Sequence, residues 1–253
     1  MAEGRGGVGA ARVRKTRTAV GLVTVLEVSG AWQDEWVQLA RDRECDGVQW
    51  YMDGDSGRTC DPLLALADAL VFVRVRASRT AVDDGALAGM PGLRFVDATT
   101  RARNELDLTG TSRLSVLMVD DREGLDFTRG DALRTAELYC NKRDLDFFEG
   151  AERLKSLQLA SRPATVVDFT ARLPGLERLR LAKGSVSTFQ GLVAPRLQVL
   201  SLDRVGGGEL DLADLAGSPG LRQVSITPRE PLVVRSAGSL SCNLITNDAV
   251  TIA

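Results

Sequence analysis

One short phrase returns along most of the chain: a leucine, then apolar residues at the fourth and sixth places. It reads Leu93-Arg-Phe-Val96-Asp-Ala98, Leu114-Ser-Val-Leu117-Met-Val119 and Leu154-Lys-Ser-Leu157-Gln-Leu159. It continues as Leu176-Glu-Arg-Leu179-Arg-Leu181, Leu197-Gln-Val-Leu200-Ser-Leu202 and Leu221-Arg-Gln-Val224-Ser-Ile226, with a weaker copy at Leu133-x-x-Ala136-x-Leu138. Successive copies start 21, 19, 21, 22, 21 and 24 residues apart. Self-similarity at that period marks a stacked repeat, in which one unit cannot bury its apolar face and neighbours must do it. Such an array assembles a long sheet rather than a central pocket, so binding is the expected role.

A second phrase keeps the same beat. An apolar-Asp-apolar triplet follows each strand phrase: Leu106-Asp107-Leu108, Leu125-Asp126-Phe127, Leu145-Asp146-Phe147, Val167-Asp168-Phe169 and Leu210-Asp211-Leu212. Strand side chains alternate, so places 4 and 6 of the first phrase point inward and places 3, 5 and 7 outward, and the Leu at place 1 is expected inward as well. The triplet sends two apolar side chains into the same core from the opposite, convex side. Thr109, Thr128 and Thr170 stand two residues after their Asp, as local capping turns favour. Fainter copies at Leu70-Val-Phe-Val73-Arg-Val75, Cys45-Asp-Gly-Val48-Gln-Trp50 and Val23-x-x-Leu26-x-Val28 extend the array to about nine or ten units.

With both phrases in hand, the chain resembles bacterial leucine-rich repeat proteins of the short, internalin-like class. Residues 70–235 carry the resemblance well and residues 20–70 poorly, and the best-matched stretch runs from Val167 to Leu181. The resemblance implies an α/β repeat solenoid: a right-handed arc with a parallel concave sheet and short turns or strands on the convex side. It also implies a ladder asparagine eight residues after the first Leu. Only Asn141 supplies it; Arg101, Arg122, Arg162, Gly184 and Val205 stand there in other copies.

Residues 1–18 are expected to form a flexible basic tail, and residues 19–253 a single solenoid. Its N-terminal cap covers about residues 20–50, where Asp34 caps a helix bearing Trp32, Trp36 and Leu39 on one face. A strand or hairpin around Thr246–Asp248 closes the other end, at about residues 239–253.

The chemistry-bearing signals are weak. Gly4-Arg-Gly6-Gly-Val-Gly9 spells a dinucleotide fingerprint, but no strand can precede it. Gly54-Asp-Ser56-Gly has the spelling of a serine-nucleophile loop, yet the chain has no His to serve as its base. Asp53-x-Asp55-x-Gly57 begins like a calcium loop and has Leu64 where the bidentate Glu belongs. No cofactor or metal is therefore expected, and no enzyme. The four Cys are too scattered for a metal site, and Cys45 and Cys140 fall in or beside core strands, as small buried apolar groups do. A net charge of −2 offers no basic field to nucleic acid. No apolar run is long enough to span a membrane, and the first 17 residues lack the apolar segment of a secretory signal. A cytoplasmic compartment is expected.

The outward places name a candidate surface. Tyr51, then Phe72, Arg74 and Arg76, Phe95 and Asp97, Met118 and Asp120, Glu137 and Tyr139, and Arg178 and Arg180 all fall there. Phe72, Phe95, Val116 and Met118 are expected as an exposed apolar patch flanked by charges, the composition of interface anchors. Phe95 and Tyr139, pointing outward, are expected to be replaceable without cost to the fold. The partner is expected to be another protein, seated between about Tyr51 and Tyr139, which an inhibitor or immunity protein, a regulator or an adaptor would bind. The alternative is a substrate-recognition subunit whose catalytic domain lies on another chain.

Overall fold

A computed structural model describes residues 10–52, 58–77, 80–162, 166–206 and 208–253. The glycine-rich motif at 4–9 and the two motifs within 53–57 lie outside these residues. Contacts cluster into two compact units, Met1–Thr128 and Arg129–Ala253. The division falls just before the weakest copy of the strand phrase, where Ala136 takes the place of a larger apolar residue.

The first unit contains β1 (Ala10–Thr18), β2 (Gly21–Ser29), helix α1 (Glu35–Asp42), β3 (Gly47–Met52), β4 (Phe72–Ala77), β5 (Phe95–Thr99), β6 (Leu106–Leu108), β7 (Val116–Asp120) and β8 (Leu125–Phe127). The main sheet runs β1-β2-β3-β4-β5-β7, parallel from β2 onward. Its register aligns Leu26, Val48, Val73, Val96 and Leu117, all buried. These are the fourth places of successive phrases, so the spacing alone fixed which residues stack. On the return side, β6 and β8 pair in parallel with Asp107 opposite Asp126, and the flanking Leu106, Leu108, Leu125 and Phe127 are buried.

The start of the chain differs from expectation. Ala10–Thr18 is not a loose tail but a strand, antiparallel to β2 over its whole length. The chain reverses at Ala19-Val20, where Gly21 has φ +116° and the Thr18 hydroxyl donates to the Gly21 carbonyl at 2.9 Å. β2 is the first strand of the parallel array, and β1 satisfies backbone groups it would otherwise leave unpaired.

Helix α1 buries Trp36 and Ala40, and Trp32 packs on Trp36 and Trp50 with ring centroids 5.6 and 5.0 Å away. Asp34 does occupy the N-cap, but its side chain makes no cap hydrogen bond. The helix ends in a Schellman turn: Glu44 has φ +51°, and the N–H groups of Glu44 and Cys45 donate to the carbonyls of Arg41 and Ala40.

The second unit contains β9 (Thr135–Asn141), β10 (Ser156–Ser161), β11 (Ala171–Arg172), β12 (Arg178–Ala182), β13 (Leu192–Val193), β14 (Val199–Val205), β15 (Gly208–Asp211), β16 (Gln223–Pro228), β17 (Leu232–Arg235), β18 (Asn243–Thr246) and β19 (Val250–Ile252). Here β9-β10-β12-β14-β16-β18 form a parallel sheet with Leu157, Leu179 and Leu200 in one register column, all buried. β11 pairs with β13, and β15-β17-β19 form a third parallel set. Cys140 and Arg204, both with φ +54°, fall where the register slips by one residue. Each is the extra residue of a bulge that turns the chain out of its strand. That position also exposes Cys140, against the expectation of a buried thiol; Cys45 is buried as expected.

Two further expectations change. The last strands make no hairpin: β18 extends the β16 ladder and β19 the β17 ladder. Continuing two existing edges satisfies backbone groups on both, which a hairpin would leave open. In the Leu145–Phe148 segment a single 3₁₀ turn replaces the return strand, so Phe148 rather than Phe147 enters the core. Phe147 instead lies under the guanidinium groups of Arg129 and Arg143, at 4.6 and 4.0 Å from its centroid.

Candidate functional site

The outward face of the first unit's sheet is built in two layers. Nearest the strands runs an apolar row from the third places: Val25, Phe72, Phe95 and Val116, joined by Val23 from β2. The expected exposed patch is thus a buried cluster, and only Met118 keeps partial exposure. Two causes account for the correction. The Phe72 and Phe95 rings stack across β4 and β5 with centroids 4.4 Å apart and 23° between planes, each covering the other. And Gly47 has no side chain: a Cβ there would stand 2.8 Å from Val23 Cγ1 and 3.2 Å from Phe72 Cβ, so its absence lets these residues close over β3.

Above this row lies a charged layer. The Asp97 carboxylate is fully buried, and its Oδ2 accepts from Arg74 Nε and from an Arg76 terminal nitrogen, both at 2.8 Å. Its Oδ1 is enclosed with no hydrogen-bond partner among the described residues. Arg74 also covers the two rings, 5.7 Å from the Phe72 centroid and 5.5 Å from that of Phe95. Its other end donates to Gln49 Oε1 at 3.4 Å, and Gln49 Nε2 donates to the Tyr51 hydroxyl at 2.6 Å. So Tyr51, Phe72, Arg74, Arg76, Phe95 and Asp97, named from alternation alone, form one connected group.

The sequence reading missed the other half of this face, because it placed β1 in a tail. Antiparallel pairing sets Arg12 opposite Glu27 and Arg14 opposite Val25, on the same side as Gln49 and Arg74. Arg12 reaches both Glu27 oxygens, at 2.9 and 3.1 Å, and Arg14 Nε lies 2.9 Å from Oε2. The hydrogen bond from Arg12 holds the Glu27 carboxyl below the usual carboxylate range. A groove of about 430 Å³ opens beside this pair, between Arg12, Glu27 and Tyr51. The alternation of Arg12, Val13 and Arg14 was the available signal.

The remaining candidates stand apart from that group. Asp120 accepts the Arg101 N–H at 2.6 Å, and burial pushes its carboxyl up. Glu137 and Tyr139 belong to the second unit and bond each other, the Tyr139 hydroxyl donating at 2.9 Å. Arg180 bridges Gln158 and Asp203, and Arg178 is exposed beside it.

On the return side the recurring aspartates act as caps. Asp107 accepts from the N–H and hydroxyl of Thr109, Asp168 from the Thr170 N–H and Asp211 from the Ala213 N–H. These hydrogen bonds lower all three carboxyls. Asp126 departs from the pattern: it accepts from Phe127, its own neighbour. A groove of about 410 Å³ lies over Asp144 and Asp168, but both carboxylates already accept backbone N–H groups. Among the described residues no group of three or more metal-ligating side chains converges, and no helix is long and apolar enough to cross a membrane. No family model, curated protein or solved structure matches the chain.

Proposed function

We propose that the chain is a leucine-rich repeat solenoid that binds another protein and carries out no chemistry of its own. Inhibitor, regulator and adaptor roles all fit that reading, in a cytoplasmic setting. The supporting observation is a contrast between the two sides of the first unit. The return side of that unit sets Asp107 opposite Asp126, each accepting a backbone N–H from one or two residues along. The outward face differs from strand to strand and presents Tyr51, Arg74 and Arg76 on a rigid parallel sheet. Varied anchors on a rigid scaffold are what specific protein recognition requires.

A photo-crosslinking residue placed at Tyr51 or Arg76, and as a control at Asp126, tests the reading in the native host. One protein should be captured from both outward positions and not from Asp126. Capture from Asp126 alone, or from none of the three, would sink it.

A further inference from the structure

The inward columns of the second unit run out at an open end. In β16, Val224 and Ile226 are buried, but their register partners in β18, Leu244 and Thr246, are half-buried and exposed. In β17, Leu232 and Val234 are buried; beside them in β19, Val250 is half-buried and Ile252 is 57% exposed. Ile245, on the outward side of β18, is 46% exposed. β18 and β19 are each the last strand of their ladder, and among the described residues no strand pairs with the outer side of either. Only Asn247–Ala249 separate the two strands in sequence, so both open edges lie at one end of the unit.

An open edge normally carries charges that discourage pairing. β1, the edge strand of the first unit's sheet, has Arg12, Arg14, Lys15 and Arg17. β18 and β19 have no charged residue at all. Charged residues make up 26% of the chain, yet Asp248 is the one charge between 240 and 253. Unguarded backbone groups beside exposed apolar side chains mark a surface that gains by being covered.

We propose that a second copy of the chain covers it, tail to tail, with the β18 and β19 edges of the two copies pairing antiparallel. A two-fold axis perpendicular to a strand lays that strand antiparallel on its own copy, so the free N–H and carbonyl groups of one edge face those of the other. Ile245 and Ile252 of both copies leave water in the same step. Each end brings only Asp248, so little like-charge repulsion opposes the contact. Stacking head to tail would instead set this apolar end on the four cations of β1 and grow into filaments, whereas the two-fold closes at two copies. Residues 240–253 give fourteen residues a side, fewer than the roughly 20–30 of a standard interface, so a dissociation constant of about 10–100 µM is expected. The dimer goes beyond the protein-binding reading and does not rest on it, since no residue of the Tyr51–Asp97 group takes part.

Sedimentation velocity of the full chain, from about 5 to about 500 µM, tests the dimer. A monomer–dimer equilibrium with no larger species is expected. Ile245→Lys combined with Ile252→Lys sets like charges against each other across the two-fold and should raise the dissociation constant about tenfold or more. Both side chains are exposed, so the thermal midpoint of the dilute monomer should stay unchanged. If that variant does not fold, Ile252→Lys alone should still weaken the dimer severalfold. Amide exchange in residues 243–252 should slow as concentration rises, and exchange in residues 10–18 should not. A monomer at about 500 µM, species larger than a dimer, or a dimer indifferent to the lysines overturns the proposal. Concentration-dependent protection in residues 10–18 instead of 243–252 overturns it as well.

Discussion

Arg122 reaches back along the chain to Asp84, a terminal nitrogen 2.8 Å from Oδ1, and both side chains are buried. Asp84 is also held by the Thr100 hydroxyl at 2.8 Å and by Asn104 at 3.4 Å. Asp84 follows β4 and Arg122 follows β7, so the ion pair reaches across the β5 repeat that lies between them. Removing one member leaves the other charged and enclosed, which costs far more than the pair contributes. Asp84→Ala should destabilise the protein by about 3–5 kcal/mol in urea unfolding. Replacing both residues by apolar ones of similar volume should recover much of that loss. A single substitution that costs under about 1 kcal/mol would show that the pair is solvated.

The apolar row of the outward face is structural, contrary to the sequence expectation for Phe95. Phe95→Ala should cost about 3–5 kcal/mol, as for other buried aromatics. Gly47→Ala should cost about 1–3 kcal/mol by overpacking against Val23 and Phe72. Thermal midpoints of the two variants measure this, and an unchanged midpoint for Gly47→Ala would mean that the space is open. Binding tests on this face therefore belong to Tyr51 and the exposed arginines rather than to the rings.

Leu179 sits in the register column between Leu157 and Leu200. Leu179→Ala should cost about 2–5 kcal/mol. Arg180→Ala, one residue on and facing outward, should cost under about 1 kcal/mol, because its bonds to Gln158 and Asp203 are exposed. Equal losses at the two positions in urea unfolding would contradict the alternation.

The capping aspartates make stability depend on acid. Their carboxyls are lowered in the folded state, so their contribution is present above the unfolded pKa of about 3.9 and is lost as pH falls through the lower folded value. For Asp168→Asn, the gap in thermal midpoint from the parent protein should be widest near pH 6 and close toward about pH 2. A gap independent of pH would assign the effect to shape rather than charge.

Thiol reactivity separates the cysteines by position. Burial pushes the Cys60 thiol up, with Asp84 and Asp83 adding to the shift, while Cys140 is exposed on its bulge. A maleimide should modify Cys140 in seconds to minutes and Cys60 only after unfolding, which mass mapping of the labelled peptides reads directly. Labelling of Cys60 at the rate of Cys140 would contradict its burial.

The period of the strand phrase determined which residues stack in the core, because alternation leaves each strand one way to bury Leu117, Leu157, Leu179 and Leu200. The same alternation was enough to place Arg74, Arg76 and Asp97 on one outward face. It could not say how deep each would lie. Phe95 and Asp97 both point outward, yet both are buried, because exposure on that face depends on the neighbours supplied by adjacent strands. Gly47 opening a gap beside Val23 and Phe72, and Arg74 lying over Phe95, are relations between residues more than 20 positions apart, and no local pattern encodes them. Residues 10–18 show the limit most plainly. Their short alternation is too weak to announce a strand, and only the unpaired edge of β2 gave it something to pair with.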